Sequence, residues 1–117
     1  MNTQISNVHP CTNDVLCGRG GCGGKTFEHI GNKRFRALVS ENKKDFALSD
    51  SKEKKREIAM DIIRTIKYSS PSGGFLQFNK QSMQWEQIND SKALMKTLQA
   101  LRENQRYFKQ TIKMFLP

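Results

Sequence analysis

The chain predicts a small α+β domain, and three observations lead there. Two stretches repeat apolar residues at helical spacing, two short aromatic-bearing runs flank a polar turn, and a thirteen-residue block from Asp14 to Thr26 holds five of the eight glycines. With 117 residues and 36% hydrophobic content, one modest core can form but not two. The expected order is a Gly-rich N-terminal loop, two helices, one β-hairpin and a long C-terminal helix. Residues 1–13 are polar, contain Pro10 and lack periodicity, so they read as a disordered leader before a single domain over 14–117.

Val15-Leu16 suits a short strand or an extended docking segment. The glycines that follow need a local reason, because glycine loses the most backbone entropy on ordering. Either left-handed turns or bare amides offered to an anion supply one. A first helix is expected from Asn32 to Phe46, with Phe35, Leu38, Val39 and Phe46 on one face and Asn32 as its cap. Lys33, Arg34 and Arg36 crowd its first turn, where the helix dipole disfavours cations.

A second helix is expected from Ser51 to Tyr68, opened by an Asp50/Glu53 capping box and carrying an Ile58, Ala59, Ile62, Ile63, Ile66 stripe. Ser69-Ser70-Pro71-Ser72-Gly73-Gly74 ends it. Phe75–Phe78 and Met83–Ile88 around Asn79–Ser82 then read as a hairpin, with Phe78 and Trp85 on one face, buried against the helices. The last helix is expected to start near Asp90-Ser91 and to be able to reach Leu116. It sets Leu94, Leu98, Leu101, Phe108 and Ile112 opposite Lys92, Lys96, Gln99, Arg102, Arg106 and Lys113.

These residues resemble an uncharacterised domain that recurs in diatom and other stramenopile proteins. The resemblance runs through Asn13-Asp14-Val15-Leu16-Cys17-Gly18-Arg19-Gly20, His29, Gly31-Asn32, Phe35-Arg36 and Leu38-Val39. It continues through Lys55, Ile58-Ala59, Ile62, Gly74-Phe75-Leu76, Trp85, Asp90, Ala93 and Lys96, and closes on Gln99-Ala100-Leu101-Arg102-Glu103. It covers about residues 13–103 and implies a module without implying an activity.

The net charge of +9 is unevenly placed: residues 19–36 carry +4, residues 43–67 carry +3 and residues 92–113 carry +5. Cations grouped this way favour a polyanionic partner, nucleic acid ahead of an acidic membrane surface. No apolar run approaches the roughly 20 residues of a membrane span, so no membrane partner is expected. Cys11, Cys17 and Cys22 are an odd number in a chain that reads as intracellular, and reduced thiols follow.

The glycine block ends in Gly24-Lys25-Thr26 yet fails as a phosphate-binding P-loop, because Arg19 stands where the motif needs its first glycine. With His9 and His29, the cysteines lack the tight paired spacing of a zinc site. Cys17 is expected to be a small buried hydrophobe and His29 a hydrogen-bonding residue at the loop-to-helix junction. No catalytic constellation emerges, so neither an enzyme nor a cofactor is expected.

The basic face of the last helix is the leading functional feature. Lys92, Lys96, Arg102 and Arg106 suit phosphate contacts, and Gln99 suits reading of a base edge. Arg19, Lys25, Lys33, Arg34 and Arg36 are the second backbone-contacting group. The expected function is nucleic-acid binding, double-stranded DNA over RNA, in a nuclear regulatory or chromatin-associated role. The alternative is a protein-interaction module, docking a partner or a second copy through the hairpin and C-terminal helix.

Overall fold

The computed structural model describes residues 10–17 and 28–103. The described chain is α+β, with the order β1 (Val15–Cys17), α1 (Ile30–Leu48), α2 (Lys52–Lys67), β2 (Phe75–Asn79), β3 (Gln84–Gln87) and α3 (Asp90–Arg102). The sheet order is β1-β2-β3, with β1 parallel to β2 and β2 antiparallel to β3. Val15 pairs with Phe75 and Leu16 with Leu76 across the parallel ladder, while Phe78 pairs with Trp85 across the hairpin.

One face of the sheet meets the helices. Val15 and Phe75 point into the same core as Phe35, Val39, Phe46, the α2 isoleucines, Leu94 and Leu101. Phe35 and Phe75 meet edge to face with ring centroids 5.7 Å apart, which ties α1 to the central strand. Ile62, Ile63 and Ile66 are each about 1% exposed, and full burial of each contributes roughly 1.5–3 kcal/mol. Thr97 is fully buried within α3, and its hydroxyl donates to the Ala93 carbonyl at 2.8 Å.

The hairpin corrects one expectation. Phe78 and Trp85 do stack together, with centroids 5.3 Å apart, but on the face of the sheet turned away from the helices. Strand side chains alternate, so Phe78, three residues after the core-facing Phe75, must point the other way. Leu16 and Leu76 share that outer face and are also buried. The turn itself is Lys80–Met83, with Asn79 accepting from the Gln81 and Ser82 amides at 2.8 and 3.3 Å.

Two helix starts also differ from expectation. In α2 the cap is Ser51, whose hydroxyl accepts from the Lys54 amide at 3.0 Å, one residue beyond Asp50. In α1 the helix begins at Ile30, and Asn32 lies inside the first turn instead of capping it. Its side chain is used elsewhere: Oδ1 accepts from the Leu16 amide and Nδ2 donates to the Leu16 carbonyl, both at 2.8 Å. Val15 turns its amide toward the Gly74 carbonyl, so the backbone groups of Leu16 point outward from the sheet, and Asn32 pairs both.

This junction extends around β1. Asp14 is buried; one carboxylate oxygen accepts from the Gly74 amide at 2.8 Å and the other from the Cys11 amide at 2.7 Å. Asn13 donates to the Pro71 carbonyl at 2.6 Å and accepts from Arg34 at 2.8 Å. His29 donates from Nε2 to the Cys11 carbonyl at 3.0 Å, the only sense a carbonyl allows. Residues 11–13, grouped with the leader on sequence grounds, thus hydrogen-bond to the domain.

Gly31 explains itself here. A Cβ at that position would overlap the Asp14 carbonyl oxygen, and one at Gly73 would overlap that of Asn13. Both glycines let helix and loop press against the turn that leads into β1.

Candidate nucleic-acid interface

Helix α3 divides cleanly into two sides. Ala93, Leu94, Thr97 and Leu101 face the core, whereas Lys92, Met95, Gln99 and Arg102 are exposed and Lys96 is half-buried. At about 100° per residue, Lys92, Lys96, Gln99 and Arg102 fall within an arc of about 120°, and Lys92 to Arg102 spans about 15 Å of axis. Asn89 caps the helix by accepting from the Lys92 amide at 2.9 Å. Asp90 binds Lys67 of α2 at 3.0 Å, fixing the start of the helix against its neighbour. The helix ends at Arg102, with the Glu103 amide bonded to the Gln99 and Ala100 carbonyls.

Among the described residues, no carboxylate lies within 4.0 Å of Lys92, Lys96 or Arg102. Lys96 has an aromatic neighbour instead, its ammonium 5.6 Å from the Phe35 ring centroid on α1. It also lies near the end of β1. Burial pushes the Cys17 thiol above its ordinary value, and the Lys96 charge offsets part of that rise. Cys17 is a buried member of the core.

The seam between α1 and α3 gathers more cations. A cavity of about 270 Å³ there is lined by Phe35, Arg36, Val39, Lys43 and, from α3, Ala100 and Glu103. Lys43 donates to the Glu103 backbone carbonyl at 2.7 Å. Arg36 and Lys43 therefore flank the same seam as Lys96. Lys43 was missed in the sequence, although it follows Arg36 by seven residues and so shares its helix flank.

The remaining predicted cations separate. Arg34 and Arg36 are two positions apart, so they leave α1 in nearly opposite directions. Arg34 turns to Asn13, and Lys33 pairs with Glu28 at 3.4 Å, both partners exposed. The three cations of the first turn thus have three fates, and only Arg36 joins α3. Arg19, Lys25 and Arg106 lie outside the described residues, as does the glycine block from Gly18 to Thr26.

Among the described residues, no group of three or more His, Cys, Asp or Glu gathers as a metal site, and no helix is long and apolar enough to cross a membrane. What the arrangement offers chemically is an array of fixed cations around one exposed amide, Gln99, on a well-anchored helix. Arrays of this kind engage phosphates through the cations and base edges through the amide.

No curated protein and no solved structure matches the chain. The family model of the DUF6824 domain of unknown function matches residues 14–103, from the buried Asp14 to the residue that caps α3, and the chain belongs to that family.

Proposed function

We propose that this domain binds double-stranded DNA through the exposed face of α3 and the adjoining flank of α1, in a nuclear regulatory or chromatin-associated role. The supporting observation is the arc of Lys92, Lys96 and Arg102 around Gln99, with no carboxylate within 4.0 Å among the described residues, extended at the seam by Arg36 and Lys43. Lysine and arginine neutralise phosphates, and Gln99 is of the type that pairs with adenine in the major groove. About five phosphate contacts give a log–log salt slope near −4.5.

The test is a fluorescence-anisotropy titration of random duplex DNA at two salt concentrations. Salt-sensitive binding of that slope supports the reading. Affinity for neither DNA nor RNA duplex at low salt overturns it.

The outer sheet face favours a second reading, a protein-docking module. Phe78 and Trp85 are half-buried together beside Leu76, away from the helical core. This reading expects an association whose strength barely changes with ionic strength and weakens on Trp85→Ala.

A further inference from the structure

We propose that the cleft between the hairpin and the start of α3 is a second DNA-contacting site, one that takes further base edges beside Gln99 while the cations of α3 hold the backbone. This inference rests on the DNA-binding reading above. The cleft, of about 520 Å³, is lined by Gln77, Asn79, Lys80, Glu86, Gln87 and Lys92, with Asn89 at the helix cap.

Its origin is the length of the hairpin. On the helix-facing side of β2, Phe75 lies in the core, and the next residues on that side are Gln77 and Asn79. Glu86 stands opposite Gln77 in the register. The hairpin therefore overshoots the helical layer, and where apolar cover ends its inner side becomes amide and carboxylate.

The chemistry of this lining differs from that of α3. Lys92 stands on the first turn of α3 and Lys80 on the hairpin turn, two cations placed to meet phosphates at separate points. Between them are neutral amides and one carboxylate, Glu86, whose charge disfavours a phosphate at that point. Amides suit adenine edges, and a carboxylate accepts from the amino group of cytosine.

Asn79 is already engaged, donating to Glu86 at 3.1 Å while accepting from the turn amides. Among the described residues, the side-chain amide of Gln77 hydrogen-bonds to nothing, and the residue is exposed; Gln87, opposite Leu76 in the register, turns its side chain to the outer face. A groove about 12 Å wide admits either a helix or a two-stranded ribbon. The continuity of Lys92 with both cleft and α3 places hairpin and helix on one surface.

The experiment selects preferred duplexes from a randomised DNA pool with the full chain, then measures affinity for selected and random duplex across salt. Gln77→Ala is compared with Lys92→Gln/Lys96→Gln, each checked by circular dichroism for the native fold. Gln77→Ala is expected to cut the selected-to-random affinity ratio about tenfold or more, leaving the salt slope unchanged. The lysine pair is expected to reduce the slope by about 2 and to leave the ratio intact. An unchanged ratio in Gln77→Ala, or no selection by the native chain, overturns the cleft site while the α3 reading stands. Failure of the native chain to bind any duplex overturns the α3 reading itself.

Discussion

The two polar regions of this domain treat their hydrogen-bonding groups in opposite ways. Around β1, Asp14, Asn13, Asn32 and His29 bond to partners on β1 itself, on α1, on the loop before β2 or on the Cys11 turn. Along α3, the side chains of Lys92, Gln99 and Arg102 have no hydrogen-bond or ion-pair partner among the described residues. Buried or half-buried polar groups are costly unless satisfied, so the first region is expected to determine the fold. Exposed cations contribute little to stability, so the second is available for binding.

Breaking the first region should therefore cost most. Gly31→Ala places a methyl group on the Asp14 carbonyl oxygen, where backbone must move on both sides. Denaturant unfolding is expected to show a loss of about 3 kcal/mol or more, or no folded protein. Asn32→Ala removes two bonds to Leu16 at once. A loss of about 2–3 kcal/mol is expected by the same measurement, and a change under about 0.5 kcal/mol would show that the junction contributes little.

Two cations on one helix sharpen the contrast. Arg34 belongs to the junction through Asn13, so Arg34→Ala is expected to cost about 1–2 kcal/mol and leave the DNA salt slope unaltered. Arg36 lies at the α1–α3 seam, so Arg36→Ala is expected to flatten that slope by about 0.9. At the bottom of the scale, Lys92→Gln and Arg102→Gln are each expected to shift stability by less than about 0.5 kcal/mol. Equal destabilisation by Arg34→Ala and Arg102→Gln would erase the distinction between the regions.

The same division governs what could be read from the sequence. Helical periodicity gave all three helices, and the aromatic runs around a polar turn the hairpin, because Phe35, Val39, the α2 isoleucines, Phe78 and Trp85 signal their own surroundings within a few residues. The start of α3 at Asp90 followed from the same pattern, whereas its end at Arg102 did not, because the apolar spacing runs on past it. Asn32 was misread as a cap because its partner, Leu16, is sixteen residues away and no local pattern reports it.

The need for glycine at 31 was hidden for the same reason, since the obstructing atom belongs to Asp14. Much of the block that carries the family resemblance, Asn13-Asp14 and Gly31-Asn32 with Gly74, surrounds β1, so its spacing records packing more than chemistry. Of the candidate interface, the α3 face from Lys92 to Arg102 and Arg36 of α1 were named from the sequence, whereas Lys43 and the turning away of Lys33 and Arg34 were not. Deciding between Arg34 and Arg36 needs to know which flank of α1 meets α3.

The pairing of Asn32 with Leu16 has one more consequence. β1 is three residues long and only Leu16 turns its backbone outward, so a single side chain closes that whole margin of the sheet. β3 forms the other margin, where no strand follows among the described residues. A strand added at the β1 margin would have to break both Asn32 bonds first; among the described residues β3 carries no such plug, so one asparagine biases edge-to-edge pairing toward β3.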